Sequence, residues 1–258
     1  MTNVTLIDKS DRKELYPLFI NHMRDTVIMN CVLEGYHGTA YADSTTDPKT
    51  ARLDSGTFTV LGGDPDSQLV DELLDVKSIY YTTPENSAWE NRIIMHYGKR
   101  TKFLEFTEFI SDTIDQRKVS EMSEKLIKGF NITRLNTELA KSIASHMQSD
   151  YFLENFASVQ DFMERGIGYC AICNGRIVSA ATSMARCQRA IDIEIATLPE
   201  FRGRGLSTVV GAKLILECLA RNIEPKWIAA NELSANLALK FGYTKGDTYK
   251  TIAIQHPE

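Results

Sequence analysis

No stretch of this chain approaches the run of about 20 apolar residues that a membrane-spanning helix needs, and Met1-Thr2-Asn3-Val4 does not begin a secretory leader. An excess of basic charge is also missing. The 29 Lys and Arg are outnumbered by 34 Asp and Glu, leaving a formal charge of −5. That balance argues against a general binder of nucleic acid or anionic membrane, and it leaves room for a local basic site. Cysteine is scarce and scattered: Cys31, Cys170, Cys173, Cys187 and Cys218 are odd in number and form no disulfide framework. Cys170-x-x-Cys173 invites a metal reading. However, Gly168 to Cys173 reads as a strand, on which residues three apart face opposite ways, and no second pair completes a site. No metal is expected. What remains is an ordinary globular composition, 43% hydrophobic and 24% charged over 258 residues. It fits one large or two ordinary domains, and a cytoplasmic location is expected.

The chain's most informative stretch is Ile191 to Arg221. Ile191-Asp192-Ile193-Glu194-Ile195 alternates apolar and acidic residues, the pattern of a strand with two different faces. Leu198-Pro199-Glu200 ends it, because proline cannot donate to a ladder and restricts its predecessor. Phe201-Arg202-Gly203-Arg204-Gly205-Leu206 then leads into a helix whose polar residues are largely confined to a Lys213, Glu217, Arg221 stripe. So apolar a helix must pack on most sides, against a sheet. The turn before it has the makings of an anion site. Free N–H groups and the positive end of the helix dipole meet there. Gly203 and Gly205 allow close approach of a ligand, Arg202 and Arg204 add charge, and Ser207 and Thr208 add hydroxyls. A Walker loop is excluded, since Gly205 is not followed by Lys-Ser/Thr. A Rossmann fingerprint is disfavoured by Thr208, which stands where its third glycine belongs.

Ile195-Ala196-Thr197-Leu198-Pro199-Glu200-Phe201-Arg202-Gly203-Arg204-Gly205-Leu206 resembles the acyl-CoA-binding motif of the GNAT superfamily of N-acetyltransferases, with Glu200 where that motif usually has Arg or Gln. Asn231-Glu232-Leu233-Ser234 and Leu237 to Tyr243 resemble the family's last helix and its terminal Gly-Phe/Tyr. Together the two motifs place the resemblance in about the last 130 residues, closest in character to the zwittermicin A resistance type. The resemblance implies a mixed α/β sheet in which Ile191–Thr197 and Pro225–Ala230 splay apart around acetyl-CoA as co-substrate. Unpaired backbone in such a gap is costly unless a ligand bonds it. Implied donor contacts are Ile195, Ala196, Thr197, Arg202, Gly203, Arg204, Gly205, Leu206, Ser207 and Asn231.

Direct attack by an amine on the thioester requires loss of a proton from an ammonium of pKa about 10. Glu194 is the expected acceptor, ahead of Asp192 on the same face. The Thr197 N–H is expected to hold the thioester oxygen. Asn231 serves equally as an N-cap. Many relatives carry a tyrosine acid at the position of Ala238; Tyr243 and Tyr249 lie nearby in sequence without matching it. The expected acceptor is a primary amine of a small molecule, in the manner of an antibiotic-like polyamine or aminopolyol. A non-catalytic acyl-CoA sensor is the alternative. Neither nucleic acid nor membrane is an expected partner; the N-terminal half either helps to close over the substrate or stabilises a homodimer, and the sequence leaves both open.

The remaining chain reads as a smaller mixed α/β domain over residues 1–128, followed by the acyl-CoA-binding domain over 129–258. In the first, Lys9–Met23 reads as helix and Thr26–Leu33 as either helix or strand. Gly38–Asp43, Thr57–Leu61, Ser78–Thr82 and Thr101–Phe106 read as strands; Gln68–Val76 and Glu85–Tyr97 read as helices. His96 reads as a packed histidine. Glu108–Lys128 is a polar connection with a helix at Asp115–Leu126. Beyond it come a strand at Asn131–Arg134, helices at Asn136–Met147 and Ser158–Arg165, and three antiparallel strands. Asn174-Gly175 turns one hairpin of those strands.

Overall fold

The computed structural model describes residues 4–256. Met1, Thr2 and Asn3, on which the leader expectation rests, lie outside the described residues. The chain forms two compact units: one runs to Phe106 and resumes at Tyr249, and the other is Thr107–Thr248. Gly129, where a boundary is expected from the sequence, lies within the second.

The first unit contains β1 (Thr5–Leu6), a 3-10 helix (Arg12–Phe19), α1 (Thr26–Leu33), β2 (Thr39–Ala42), β3 (Thr50–Ser55) and β4 (Phe58–Gly63). α2 (Val70–Asp75), β5 (Tyr81–Thr82) and α3 (Ser87–Tyr97) follow. Neighbouring strands pair antiparallel from β1 to β4, and β4 pairs parallel with β5. Thr26–Leu33 resolves as helix. The helix expected at Lys9–Met23 is a shorter 3-10 segment that contains Pro17, whose ring disfavours a continuous α-helix.

β3 escapes a reading by hydrophobic period because all six of its residues are buried, Arg52 and Asp54 included. Arg52 Nε lies 2.9 Å from Asp54 Oδ1. Arg52 Nη1 donates to the carbonyls of Leu73 and Leu74 at 2.9 and 3.0 Å, and the Thr59 hydroxyl donates to Asp54 at 2.6 Å. His96 is indeed largely covered, and it also bridges Asp71 at 3.0 Å and Asp75 at 2.8 Å.

β6 (Thr101–Ile110) carries the chain into the second unit, followed by α4 (Gln116–Ser123), β7 (Asn131–Arg134), α5 (Thr137–Met147), α6 (Val159–Arg165), β8 (Gly168–Cys173), β9 (Arg176–Arg186) and β10 (Ala190–Thr197). A 3-10 turn (Pro199–Phe201) leads to α7 (Leu206–Ala220), then β11 (Glu224–Ala229), α8 (Glu232–Phe241) and β12 (Thr244–Ile254), which returns to the first unit. The fold is mixed α/β. In the second unit β7, β8, β9 and β10 pair antiparallel in sequence order, β10 pairs parallel with β11, and β11 pairs antiparallel with β6.

Side-chain caps start the helices where the sequence supplies them: Asn136 accepts from the Leu139 N–H at 2.9 Å and Ser158 from the Asp161 N–H at 3.1 Å. α7 fills the centre of this unit. Leu206, Val210, Leu214 and Cys218 join one core with α5 and α6, while Ala212 and Ile215 join another with Trp227 and Phe241. Two members of its polar stripe, Glu217 and Arg221, are paired. Glu217 accepts from Arg134 Nε at 3.1 Å and from the Tyr169 hydroxyl at 2.8 Å, and it pairs with Arg221. Burial alone would raise the Glu217 pKa, but those hydrogen bonds win and lower it.

Candidate functional site

The site begins where two parallel strands part. β10 and β11 pair at Ala190↔Glu224, Ile191↔Pro225 and Asp192↔Lys226, and the ladder ends there. β10 continues to Thr197 against β9, while β11 continues to Ala229 against β6. The phase of the β9 side fixes what faces the opening. Leu198 N–H donates to the Val178 carbonyl at 2.9 Å, so the peptide groups of Leu198 and Ala196 serve β9, while those of Thr197 and Ile195 point to the opposite edge. The Thr197 carbonyl is met there by Arg202 Nε at 3.2 Å. A strand edge with backbone groups open to a ligand is the arrangement a bound amide chain would complete.

The gap widens into a cleft of about 490 Å³. One wall is Ile195, Ala196 and Thr197, and one end is the turn at Gly203 and Gly205 with Leu206 and Ser207 above it. Both glycines are left-handed, at φ +76° and +79°, and nothing stands within 4 Å of where a Cβ would project. Glycine is needed for the backbone here, and the space over it is open. The first α-helical bond of α7 runs from Val209 N–H to the Gly205 carbonyl at 3.2 Å, so the N–H groups of Leu206, Ser207 and Thr208 lie ahead of the ladder. The opposite wall is α8. Asn231 caps it, accepting from the Ser234 N–H at 3.0 Å, and Ser234 Oγ in turn accepts from Trp227 Nε1 at 3.0 Å. Leu233, Asn236, Leu237 and Lys240 complete this wall.

Nine of the ten residues expected to bind the donor line this single cleft: Ile195, Ala196, Thr197, Arg202, Gly203, Gly205, Leu206, Ser207 and Asn231. Arg204 is the tenth. It lines an adjoining cavity, with its guanidinium 5.8 and 5.6 Å from the Phe130 and Phe201 ring centroids. The α8 residues and Lys240 were not legible as site residues. Their 233, 236/237, 240 spacing is one helix face, which only the position of β10 turns into a binding wall.

Glu194 stands opposite Thr182 of β9. The β9/β10 irregularity pairs Asp192 with Ala185 and Ile193 with Ser183. The extra residue is therefore Met184 on β9, and the alternation of β10 is unbroken. Ile195 packs toward α7, where a Cβ on Gly211 would meet its Cδ1 at 3.1 Å; Glu194 takes the other face. Thr182 also donates its hydroxyl to the Phe152 carbonyl at 2.9 Å, which pins the stretch before α6 beside Glu194. Burial pushes the Glu194 carboxyl up to about 7, and the nearby Glu154 carboxylate adds to the rise. Glu154 belongs to a segment without a periodic or motif signal, so its place beside Glu194 is a product of the fold.

Among the described residues, no tyrosine lines the cleft. Ala238 is fully buried on the core side of α8. The Tyr243 hydroxyl donates to the Pro225 carbonyl at 2.7 Å, its ring packs on Trp227, and burial holds its pKa well above the usual value. Tyr249 belongs to the first unit, where it packs against Phe106 and under Arg24. Among the described residues no group of His, Cys, Asp and Glu is arranged to hold a metal ion, and no helix is long and apolar enough to cross a membrane.

A family model described as GNAT acetyltransferase matches residues 17–252. The match thus reaches far beyond the last 130 or so residues in which the motifs lie. An uncharacterized N-acetyltransferase of Bacillus subtilis, YdfB, is 24% identical over 250 residues, covering 92% of this chain and 93% of that one. A GCN5-related N-acetyltransferase-like protein from Streptococcus suis has a TM-score of 0.84 at 28% identity, covering 96% of this chain and all of its own. A GCN5-related N-acetyltransferase from Kribbella flavida shares the fold at a TM-score of 0.57 and 11% identity, covering 81% of this chain and 88% of its own.

Proposed function

The chain belongs to the GNAT acetyltransferase family and is an N-acetyltransferase, and from that premise we propose that it moves an acetyl group from acetyl-CoA to a primary amine of a small molecule by direct attack. The observation that carries this reading is the end of the β10–β11 ladder at Asp192↔Lys226, with the Gly203–Gly205 turn at one end of the resulting cleft. The outward peptide groups of Ile195 suit an amide of a pantetheine arm, and the Thr197 N–H is left for the acetyl group. The α7 N-terminus with Arg202 and Ser207 suits a pyrophosphate.

Acetyl-CoA supplies an acetyl group already activated as a thioester. Glu194 accepts the proton that the substrate ammonium must lose before its nitrogen can bond to the acetyl carbon. A carboxyl of pKa about 7 is ionised in half the molecules at neutral pH and is a stronger base than an ordinary glutamate. The Thr197 N–H donates to the acetyl oxygen as negative charge grows on it. As the new C–N bond forms the C–S bond breaks, the sulfur departs as a thiolate, and the second proton that the nitrogen sheds on becoming an amide goes to that thiolate. With no tyrosine among the described residues lining the cleft, departure rests on the thiol's own acidity, since a thiol is far more acidic than an alcohol. A carboxylate pair beside the acceptor face, Glu194 and Glu154, favours a cationic amine. This agrees with the polyamine or aminopolyol class implied by the resemblance to zwittermicin A resistance proteins.

Calorimetric titration with acetyl-CoA tests the site. Gly203→Glu places bulk, a strained φ and a negative charge in the turn, so it should weaken binding more than roughly tenfold. Binding as tight as the parent chain would show that the donor lies elsewhere.

A further inference from the structure

Ser179 of β9 is a fully buried hydroxyl that does not line the cleft, yet it stands directly across the ladder from Thr197. Ser179 Oγ donates to the Ala196 carbonyl at 3.1 Å, and the Thr197 hydroxyl lies 2.7 Å from the same Oγ. A serine has one proton to give. With that proton on the Ala196 carbonyl, the Thr197 hydroxyl must be the donor in the second bond. The direction is thereby fixed, from Thr197 O–H to Ser179 O–H to the Ala196 carbonyl.

That carbonyl and the Thr197 N–H belong to one peptide group. The group is planar and trans, so its C=O and N–H point opposite ways. The phase of the β9 ladder turns the carbonyl toward β9 and the N–H into the gap. A hydroxyl that grips the carbonyl therefore aims the N–H. It also draws electron density toward the oxygen, which makes the N–H a stronger donor. The need for this second hold is local. The ladder to β11 ends at Asp192, so the last residues of β10 are paired on one side only before the chain turns at Pro199.

We propose that Ser179 is a positioning residue for acetyl transfer, acting through the Ala196–Thr197 peptide to aim and polarise the N–H that holds the acetyl oxygen. The proposal rests on reading that N–H as the donor to the developing oxyanion, and it adds the buried device that holds it there. Losing an oxyanion donor outright slows a reaction by about 10²–10³. Losing one neutral hydrogen bond behind the donor should slow acetyl transfer by roughly two- to tenfold, with acetyl-CoA affinity little changed.

The acetyl carbonyl itself reports on the contact, whatever the amine. Infrared difference spectra of acetyl-CoA isotopically labelled at that carbonyl, bound to the full chain, should place its stretch below the free-solution frequency, because a donor on the oxygen weakens the C=O bond. In Ser179→Ala the band should move part of the way back, while calorimetry shows acetyl-CoA affinity within about threefold of the parent. Thr197→Val keeps the N–H and removes only the first hydroxyl of the chain, so its band should move the same way by less. It also provides the reading if Ser179→Ala does not fold. A parent-like band in the folded variants would overturn the proposal and leave the Thr197 reading intact. So would a Ser179→Ala variant that loses affinity with its band unmoved, the mark of a merely structural role. A parent chain whose bound acetyl-CoA absorbs at the solution frequency would overturn the Thr197 reading, and the proposal with it.

Discussion

Glu194→Gln should make this protein more stable and less active, and the gain in stability should depend on pH. The Glu194 carboxyl is raised from 4.5 to about 7, first by burial and then by the Glu154 charge. For a carboxyl whose folded pKa lies above its unfolded one, the fold binds the proton more tightly than the unfolded chain does. Its contribution to stability is therefore intact below about pH 4.5 and is lost as pH rises through about 7. Every tenfold gain in proton affinity is worth about 1.4 kcal/mol, so ionised Glu194 costs the fold at most about 3 kcal/mol at about pH 8. Glutamine has the same shape and no charge, so it removes that cost. Denaturant unfolding should show Glu194→Gln more stable than the parent chain at about pH 8, with the difference largely gone near pH 5. Acetyl transfer measured on the same samples should fall by roughly 10²–10⁴. A variant destabilised at both pH values would refute the buried-charge reasoning. One that retains transfer within about twofold would refute Glu194 as the base.

Three further changes probe other parts of the account. Glu154→Gln removes the like charge beside Glu194, so the acid limb of the transfer pH profile should move to lower pH while staying above the ordinary glutamate range, because burial remains. Asn231→Ala removes the acceptor for the Ser234 N–H; unfolding should show a loss of about 0.5–2 kcal/mol, together with weaker acetyl-CoA binding. Arg52→Leu leaves the buried Asp54 carboxylate without its cation. It should cost about 3–5 kcal/mol, and much less when Asp54→Leu is added, as a double-mutant unfolding cycle would show.

The second unit was more legible than the first for a physical reason. From Asn131 onward the chain uses local signals that survive folding: the Asn136, Ser158 and Asn231 caps, the Asn174-Gly175 hairpin, and the glycines that take positive φ before α7. The strand at Ala190–Thr197 was readable from its alternation and from the proline that stops it, whereas the parting of its neighbour was implied only by the family resemblance. In the first unit the decisive interactions are tertiary. β3 buries an arginine and an aspartate that look like surface residues, and the 26–33 stretch is apolar on all sides, which gives period analysis nothing to separate. The same limit applies within the site. Glu154 and the cleft-facing side of α8 acquire meaning only from what folds against them.

The central claim is acetyl transfer to an amine, and release of free thiol from acetyl-CoA across a panel of primary amines tests it most directly. Thiol release should depend on the amine and be strongest with polycationic or aminopolyol acceptors. Its rate should rise about tenfold per pH unit below the Glu194 pKa and level off above it. Saturable acetyl-CoA binding with no thiol release above background for any amine, at any pH across that range, would contradict it.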